Sequence, residues 1–154
     1  PYGVSTDMGS GDEWPAIHAE VLASDILVIA TPTWLGQASS VSKVVLERLD
    51  AMISETHDDG TPVAYNKVAG VVVTGNEDGA HHVHAQLCQG LVDVGFTIPG
   101  GSPPYWVGEA MGSTDFKDLE ATPDKVRETI RTIASNAAHL ARLLAERPYP
   151  PIER

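Results

Sequence analysis

Apolar residues are spaced along this chain in two styles. Residues 26–30 (Ile-Leu-Val-Ile-Ala) and 68–73 (Val-Ala-Gly-Val-Val-Val) are unbroken apolar runs rich in β-branched side chains, whereas residues 41–53 and 126–144 carry apolar positions three or four apart. The first style predicts strands buried on both faces of a parallel sheet, the second helices with one apolar stripe. The strand at 26–30 is expected to stop hard. Pro32 lacks a backbone donor, Gly36 frees the chain to bend, and Ser39, Ser40 and Ser42 offer hydroxyls to cap a helix from near Val41, so the local pattern is strand, bend, helix.

The remaining elements follow from the same periodicities. Asp12 is placed to cap a short helix with Pro15 in its first turn and Ile17, Val21 and Leu22 at helical spacing. The helix after the first bend buries Val41, Val44, Val45, Leu49, Met52 and Ile53. A surface connection over 55–66, with Asp58-Asp59-Gly60 and Pro62, leads to the second strand, which ends in a small-residue bend at 75–80. A helix over 82–94 buries Val83, Leu87, Leu91 and Val94, and Gly95 closes it. Residues 96–99 read as a short third strand and 100–122 as a long Gly-, Pro- and Ser-rich connection without strong periodicity, hence functional or disordered. Pro123 opens the last helix, whose apolar face is Val126, Ile130, Ile133, Ala134, Ala137, Leu140, Ala141 and Leu144. The Pro-rich tail 148–154 is expected to be loose. Helices alternating with strands imply an α/β domain, residues 1–147, with a parallel sheet between helix layers. Three strands make a thin sheet, and the chain opens on a loop and a helix. A preceding strand-helix-strand unit of about 30 residues or more would complete the pattern.

Composition narrows the partners. Among 154 residues, 42% hydrophobic, 21 acids face 10 bases, a net charge of −11. That balance lacks the basic stripe a nucleic acid needs and repels an anionic membrane surface. No apolar run approaches the roughly 20 residues of a membrane span, and no signal peptide opens the chain, so a cytoplasmic protein is expected. Cys88 is the only cysteine. Inside a helix beside Leu87 and Leu91, it reads as a small filler rather than a nucleophile. His81, His82 and His84 near Glu77 and Asp78 raise a metal site, but acids and histidines at a helix start need no ion, and no metal is expected. Neither a Gly-x-Ser-x-Gly elbow nor a phosphate-binding Gly-Lys-Ser/Thr segment is present.

In a parallel α/β sheet, ligands bind beyond the carboxyl ends of the strands, where both bends fall. The run Thr31-Pro32-Thr33-Trp34-Leu35-Gly36, followed by Ser39, Lys43, Glu47, Arg48 and Leu49, resembles the segment after the third strand in NADPH-dependent FMN reductase-like proteins of the flavodoxin-like superfamily. Residues Thr74, Gly75, Asn76, Glu77, Asp78, Gly79 and Ala80 are similar to that family's Gly-rich loop after the fourth strand. The resemblance covers residues 25–96 well and the rest by element order. It implies a flavodoxin-like three-layer sandwich, incomplete at the N-terminus, since the family's phosphate loop after its first strand has no counterpart here. The expectation is a fragment of a longer polypeptide.

What the resemblance implies for function is noncovalent FMN held by the two corners, with a cleft between them. Pro32, Thr33, Trp34, Leu35, Gly36 and Gln37 would run along the ring. Thr74, Gly75, Asn76, Glu77, Asp78, Gly79 and His81 would take its pyrimidine edge, His81 also being a possible catalytic accessory. Tyr105 and Trp106 are expected core plugs or substrate contacts, reaching the flavin of a neighbouring subunit in a homodimer or homotetramer. The implied activity is hydride transfer from NAD(P)H through flavin to a quinone, free flavin or similar small acceptor, of the FMN reductase or quinone reductase type. The rivals are a flavodoxin-type FMN electron carrier without nicotinamide turnover, which the acidity favours, and a flavin-free structural or regulatory domain.

Overall fold

The two unbroken apolar runs lie side by side at the centre of the molecule. A computed structural model describes residues 4–101 and 103–151. In chain order the elements are α1 (Trp14–Ala23), β1 (Ile26–Trp34), β2 (Gln37–Ala38), α2 (Ser40–Leu49), β3 (Val68–Gly75), α3 (Ala80–Val94), β4 (Tyr105–Val107) and α4 (Asp124–Glu146), with short 3-10 turns at Asp50–Ser54 and Phe116–Asp118. The sheet order is β2-β1-β3-β4. β1 and β3 are parallel from Ile26 opposite Val68 to Pro32 opposite Thr74, and β4 is parallel to β3.

Several expectations change at this level. β1 does not stop at Pro32. The Val68 N–H bonds the Asp25 carbonyl (3.0 Å), so by alternation the missing N–H of Pro32 faces the open edge, where a proline is tolerated. Nor is β1 buried on both faces. Ile29, Thr31 and Thr33 point into the main core, while Val28 on the opposite face is 57% exposed. β3 does fit the two-sided expectation, because α3 covers one face and α4 the other. The predicted third strand at 96–99 shrinks to one bridge, Thr97 to Val68. The third parallel strand is instead Tyr105–Val107, inside the stretch expected to be irregular. A three-residue strand is too short to show a period.

The helices keep their places but not always their buried faces. α3 buries Val83, Leu87, Leu91 and Val94 and ends on left-handed Gly95, as its spacing predicted. In α1, Trp14, His18 and Val21 are buried and Ile17 is exposed. In α2, Val41 and Val44 face solvent and Ser42 is buried, because Ser39 caps the helix, accepting from the Ser42 N–H (3.2 Å) and bonding the Ser42 hydroxyl (2.9 Å). Only Ala137, Ala141 and Leu144 of α4 are buried. Its first half stands off the sheet over a groove of about 310 Å³ lined by Ile26, Val28, Val72, Ile130 and Ile133.

Both ends of the described chain are fastened. Arg48 makes a two-pronged ion pair with Asp12 (3.0 and 2.6 Å), bonds the Ser5 and Thr6 carbonyls, and lies over the Trp14 ring. The tail is not loose up to Pro151. The Tyr149 N–H bonds Asn66, its hydroxyl meets Thr97, and its ring packs edge-on against Tyr65; residues 152–154 lie outside the described residues.

Candidate functional site

β1 and β3 run in one direction and end together, so the segments that follow leave the carboxyl edge of the sheet from adjacent points. After β1 the chain turns through Leu35 and Gly36, both left-handed (φ 51° and 72°), and returns as β2, Thr33 opposite Ala38 and Trp34 opposite Gln37. The expected simple bend is therefore a primed hairpin turn. Glycine adopts that geometry freely, whereas leucine holds it at a cost of about 1–2 kcal/mol. The tip is also exposed, Trp34 at 60% and Leu35 at 90%. A strained, exposed apolar residue beside a ligand edge is a functional signal.

The second corner, residues 76–79, leads from β3 into α3. A Cβ at Gly79 would stand 2.8 Å from the Gly36 Cα, and one at Gly75 would stand 3.3 Å from the Thr33 Cβ. The corners thus touch main chain to main chain. The expected cleft between them is replaced by a continuous ledge, since both contacts are made through glycine. Along it, no acceptor among the described residues takes the N–H of Leu35, Gly36, Glu77 or Asp78, while the Gly79 N–H bonds its neighbour Asp78 (2.7 Å). Gly79 caps α3 without a side chain, leaving that helix's first-turn amides open as well. His82 reaches across to Gln37 (3.2 Å) and ties the hairpin to α3.

A third wall was not legible in the sequence. Residues 108–112 are clipped to the second corner by three bonds: Gly108 N–H to the Gly75 carbonyl (2.9 Å), Met111 N–H to the Asn76 carbonyl (2.9 Å), and the Asn76 side-chain amide to the Gly112 carbonyl (2.7 Å). Met111 stands there at φ 63° and 90% exposed. Only the glycines at 108 and 112 hinted at it.

The candidate residues separate into groups. Trp34, Leu35, Gly36, Gln37, Asn76, Glu77, Asp78 and Gly79 belong to the two adjoining corners, with Pro32, Thr74 and Gly75 at the strand ends beneath. Thr33 turns its side chain into the core, and its buried hydroxyl has no partner. Tyr105 and Trp106 do not join the ledge. They lie in β4 and line a cavity of about 480 Å³ with His81, whose ring meets Tyr105 edge-on at 5.0 Å.

Open amides and side-chain-free glycines fit a flat ring whose edge carries carbonyl and nitrogen acceptors. The comparisons decide the family. The sequence model described as NADPH-dependent FMN reductase matches residues 3–112. The chain belongs to that family. It is also 39% identical over 141 residues to 8-demethyl-8-aminoriboflavin-5'-phosphate synthase of Streptomyces davaonensis, a match spanning 90% of this chain and 54% of that protein. A crystal structure of RosB with the bound intermediate 8-demethyl-8-formylriboflavin-5'-phosphate superposes with a TM-score of 0.81 at 38% identity, over 90% of this chain and 55% of that one. The Divalent metal cation transporter MntH of Mycobacterium bovis is 37% identical over 136 residues, 86% of this chain and only 20% of that protein. The chain thus spans about half the length, or less, of these relatives. The fold is flavodoxin-like, as the resemblance implied.

Family membership leaves other groups to place. No described helix is long and apolar enough to cross a membrane, and no three His, Cys, Asp or Glu side chains gather as a metal site among the described residues. On α3, His84 lies 3.4 Å from the Cys88 sulfur. Burial pushes the Cys88 thiol above its usual range; burial first, and then the charge of His81, lowers His84. That is the environment of a packed thiol, not an activated nucleophile.

Proposed function

We propose that this chain is the flavin-binding part of an NAD(P)H-dependent flavin oxidoreductase that holds FMN noncovalently on the ledge. The observation that carries the reading is the main-chain contact of Gly36 with Gly79, beside unpaired N–H groups at Leu35, Gly36, Glu77 and Asp78. These amides would donate to the acceptor edge of the ring, and the first turn of α3 would favour negative charge on it. Trp34 and Leu35 would pack on the ring and exclude water from it. The Asn76 clip to residues 108–112 would keep Met111 over the ledge. FMN, when bound, supplies the hydride-accepting nitrogen. The acceptor would be a quinone, free flavin or similar small molecule, and the apolar hairpin tip suits a cytoplasmic homodimer or homotetramer. The test is the visible spectrum of protein loaded with FMN and then gel-filtered, followed by NADPH oxidation with a quinone present. Retained flavin and nicotinamide turnover are expected. A colourless protein overturns the reading, and retained flavin without turnover assigns an electron carrier.

A second reading is favoured by the similarity to an aminoriboflavin phosphate synthase. There the flavin on the ledge would be substrate rather than cofactor. Mass spectrometry of the flavin recovered after incubation separates the two, because a cofactor returns unchanged.

A further inference from the structure

The cavity beside β4 is built from parts the ledge does not use. Trp106 forms a fixed wall. Its ring packs on Phe116 (5.6 Å), and a Cβ at Gly108 would stand 2.6 Å from it. Across the strand, His81 meets Tyr105 at 89°. Between these aromatics runs the outer edge of the sheet. The Val73 N–H bonds the Pro104 carbonyl and the Gly108 N–H bonds the Gly75 carbonyl, so residues 104, 106 and 108 face β3. By alternation, the N–H and C=O groups of Tyr105 and Val107 point away from β3, along the edge that lines the cavity. α4 closes the far side with Lys125, Val126 and Thr129.

A flat slot with main-chain donors and acceptors side by side matches a planar ring bearing a carboxamide, which donates and accepts at once. A carboxylate fits worse. It would face the strand's carbonyls, the one cation present is held by Glu128 (3.0 Å), and the chain carries a charge of −11. About 480 Å³ is within the size range of small-molecule sites. We propose that this strand edge is the docking slot for the carboxamide ring of the nicotinamide co-substrate, oriented by the Val107 main chain and walled by Tyr105 and Trp106. His81, two residues past Gly79, puts the slot at the border of the ledge.

The inference rests on the oxidoreductase reading, and its test is separable from it. Calorimetric titration of the full chain compares reduced nicotinamide mononucleotide with reduced nicotinic acid mononucleotide. The amide is expected to bind at least tenfold more tightly, about the effect of one hydrogen bond replaced by a repulsion. Val107→Pro deletes the outward N–H without touching the ladder to β3 and is expected to weaken the amide about tenfold. Should that variant fail to fold by circular dichroism, Tyr105→Ala removes a wall instead, with the same loss expected. FMN retention is expected to stay within twofold in either variant. Equal binding of amide and acid, or unchanged amide affinity in the folded variant, overturns the slot. Loss of FMN binding by the unaltered protein would sink the oxidoreductase reading while leaving the amide-against-acid comparison still readable.

Discussion

Gly79 and Leu35 are the residues at which the ledge is most exposed to challenge. Gly79 has φ 121°, and a methyl there would collide with the Gly36 backbone. Gly79→Ala should lower stability by about 2–4 kcal/mol, read as a fall in urea midpoint at constant slope, and should abolish flavin retention. Leu35 carries the opposite balance. Leu35→Gly relieves its left-handed strain and should raise stability by about 1 kcal/mol while weakening flavin binding. Stabilisation with no change in flavin affinity would mean the strain serves only the turn. That leucine sits at a strained turn was not legible in the sequence, because leucine is a poor marker for a primed turn; Gly36 alone announced it.

At the scale of elements, the Asn76 clip and the Arg48 clasp set how the loops stand. Asn76→Ala removes the bond to the Gly112 carbonyl (2.7 Å). It should cost about 1 kcal/mol of stability and speed flavin dissociation several-fold in stopped-flow, with the helices intact. At the other end, the Arg48 guanidinium first, and then the Met8 N–H, hold the Asp12 carboxyl well below the usual carboxylate range. Since the folded-state value is depressed, the clasp's contribution is fully present above about pH 4 and is lost as pH falls through the lower folded value. Denaturation of wild type and Asp12→Asn should therefore differ by a constant amount at pH 5–8 and converge toward pH 2. A gap unchanged at low pH would show that the ion pair is not the cause. The clasp links residues 36 apart, a partnership no local pattern announces.

For the whole molecule, the sheet is covered unevenly. The larger core lies under α1, α2 and α3, whereas on the α4 side Val28 and Ile130 border an apolar groove, and the β1 edge from Ile26 to Pro32 has no neighbour until β2 begins. An apolar face with an open strand edge invites association. The 154-residue chain should bind a hydrophobic dye such as ANS in its folded state. Val28→Thr should reduce that binding with a stability change under about 1 kcal/mol. Undiminished dye binding would place the sticky surface elsewhere, the hairpin tip being the next candidate.

Local spacing determined the elements whose neighbours surround them evenly. β3 and α3 read true because an unbroken valine run and a 3.6-residue stripe are energetically sound in one environment only, a fully covered sheet and the helix lying on it. The two glycine-rich corners were equally visible, since conformations barred to side chains leave glycine as their mark. Long-range geometry decided the rest. Whether a face of β1 meets a helix or water, which serine of α2 turns inward, and where a three-residue strand finds its partner depend on what packs from far along the chain. The contact of Gly36 with Gly79 and the clip of Asn76 to Gly112 likewise exist only once β1, β3 and β4 are aligned, because the attractions involved act over a few ångströms and the residues are brought within reach by the sheet.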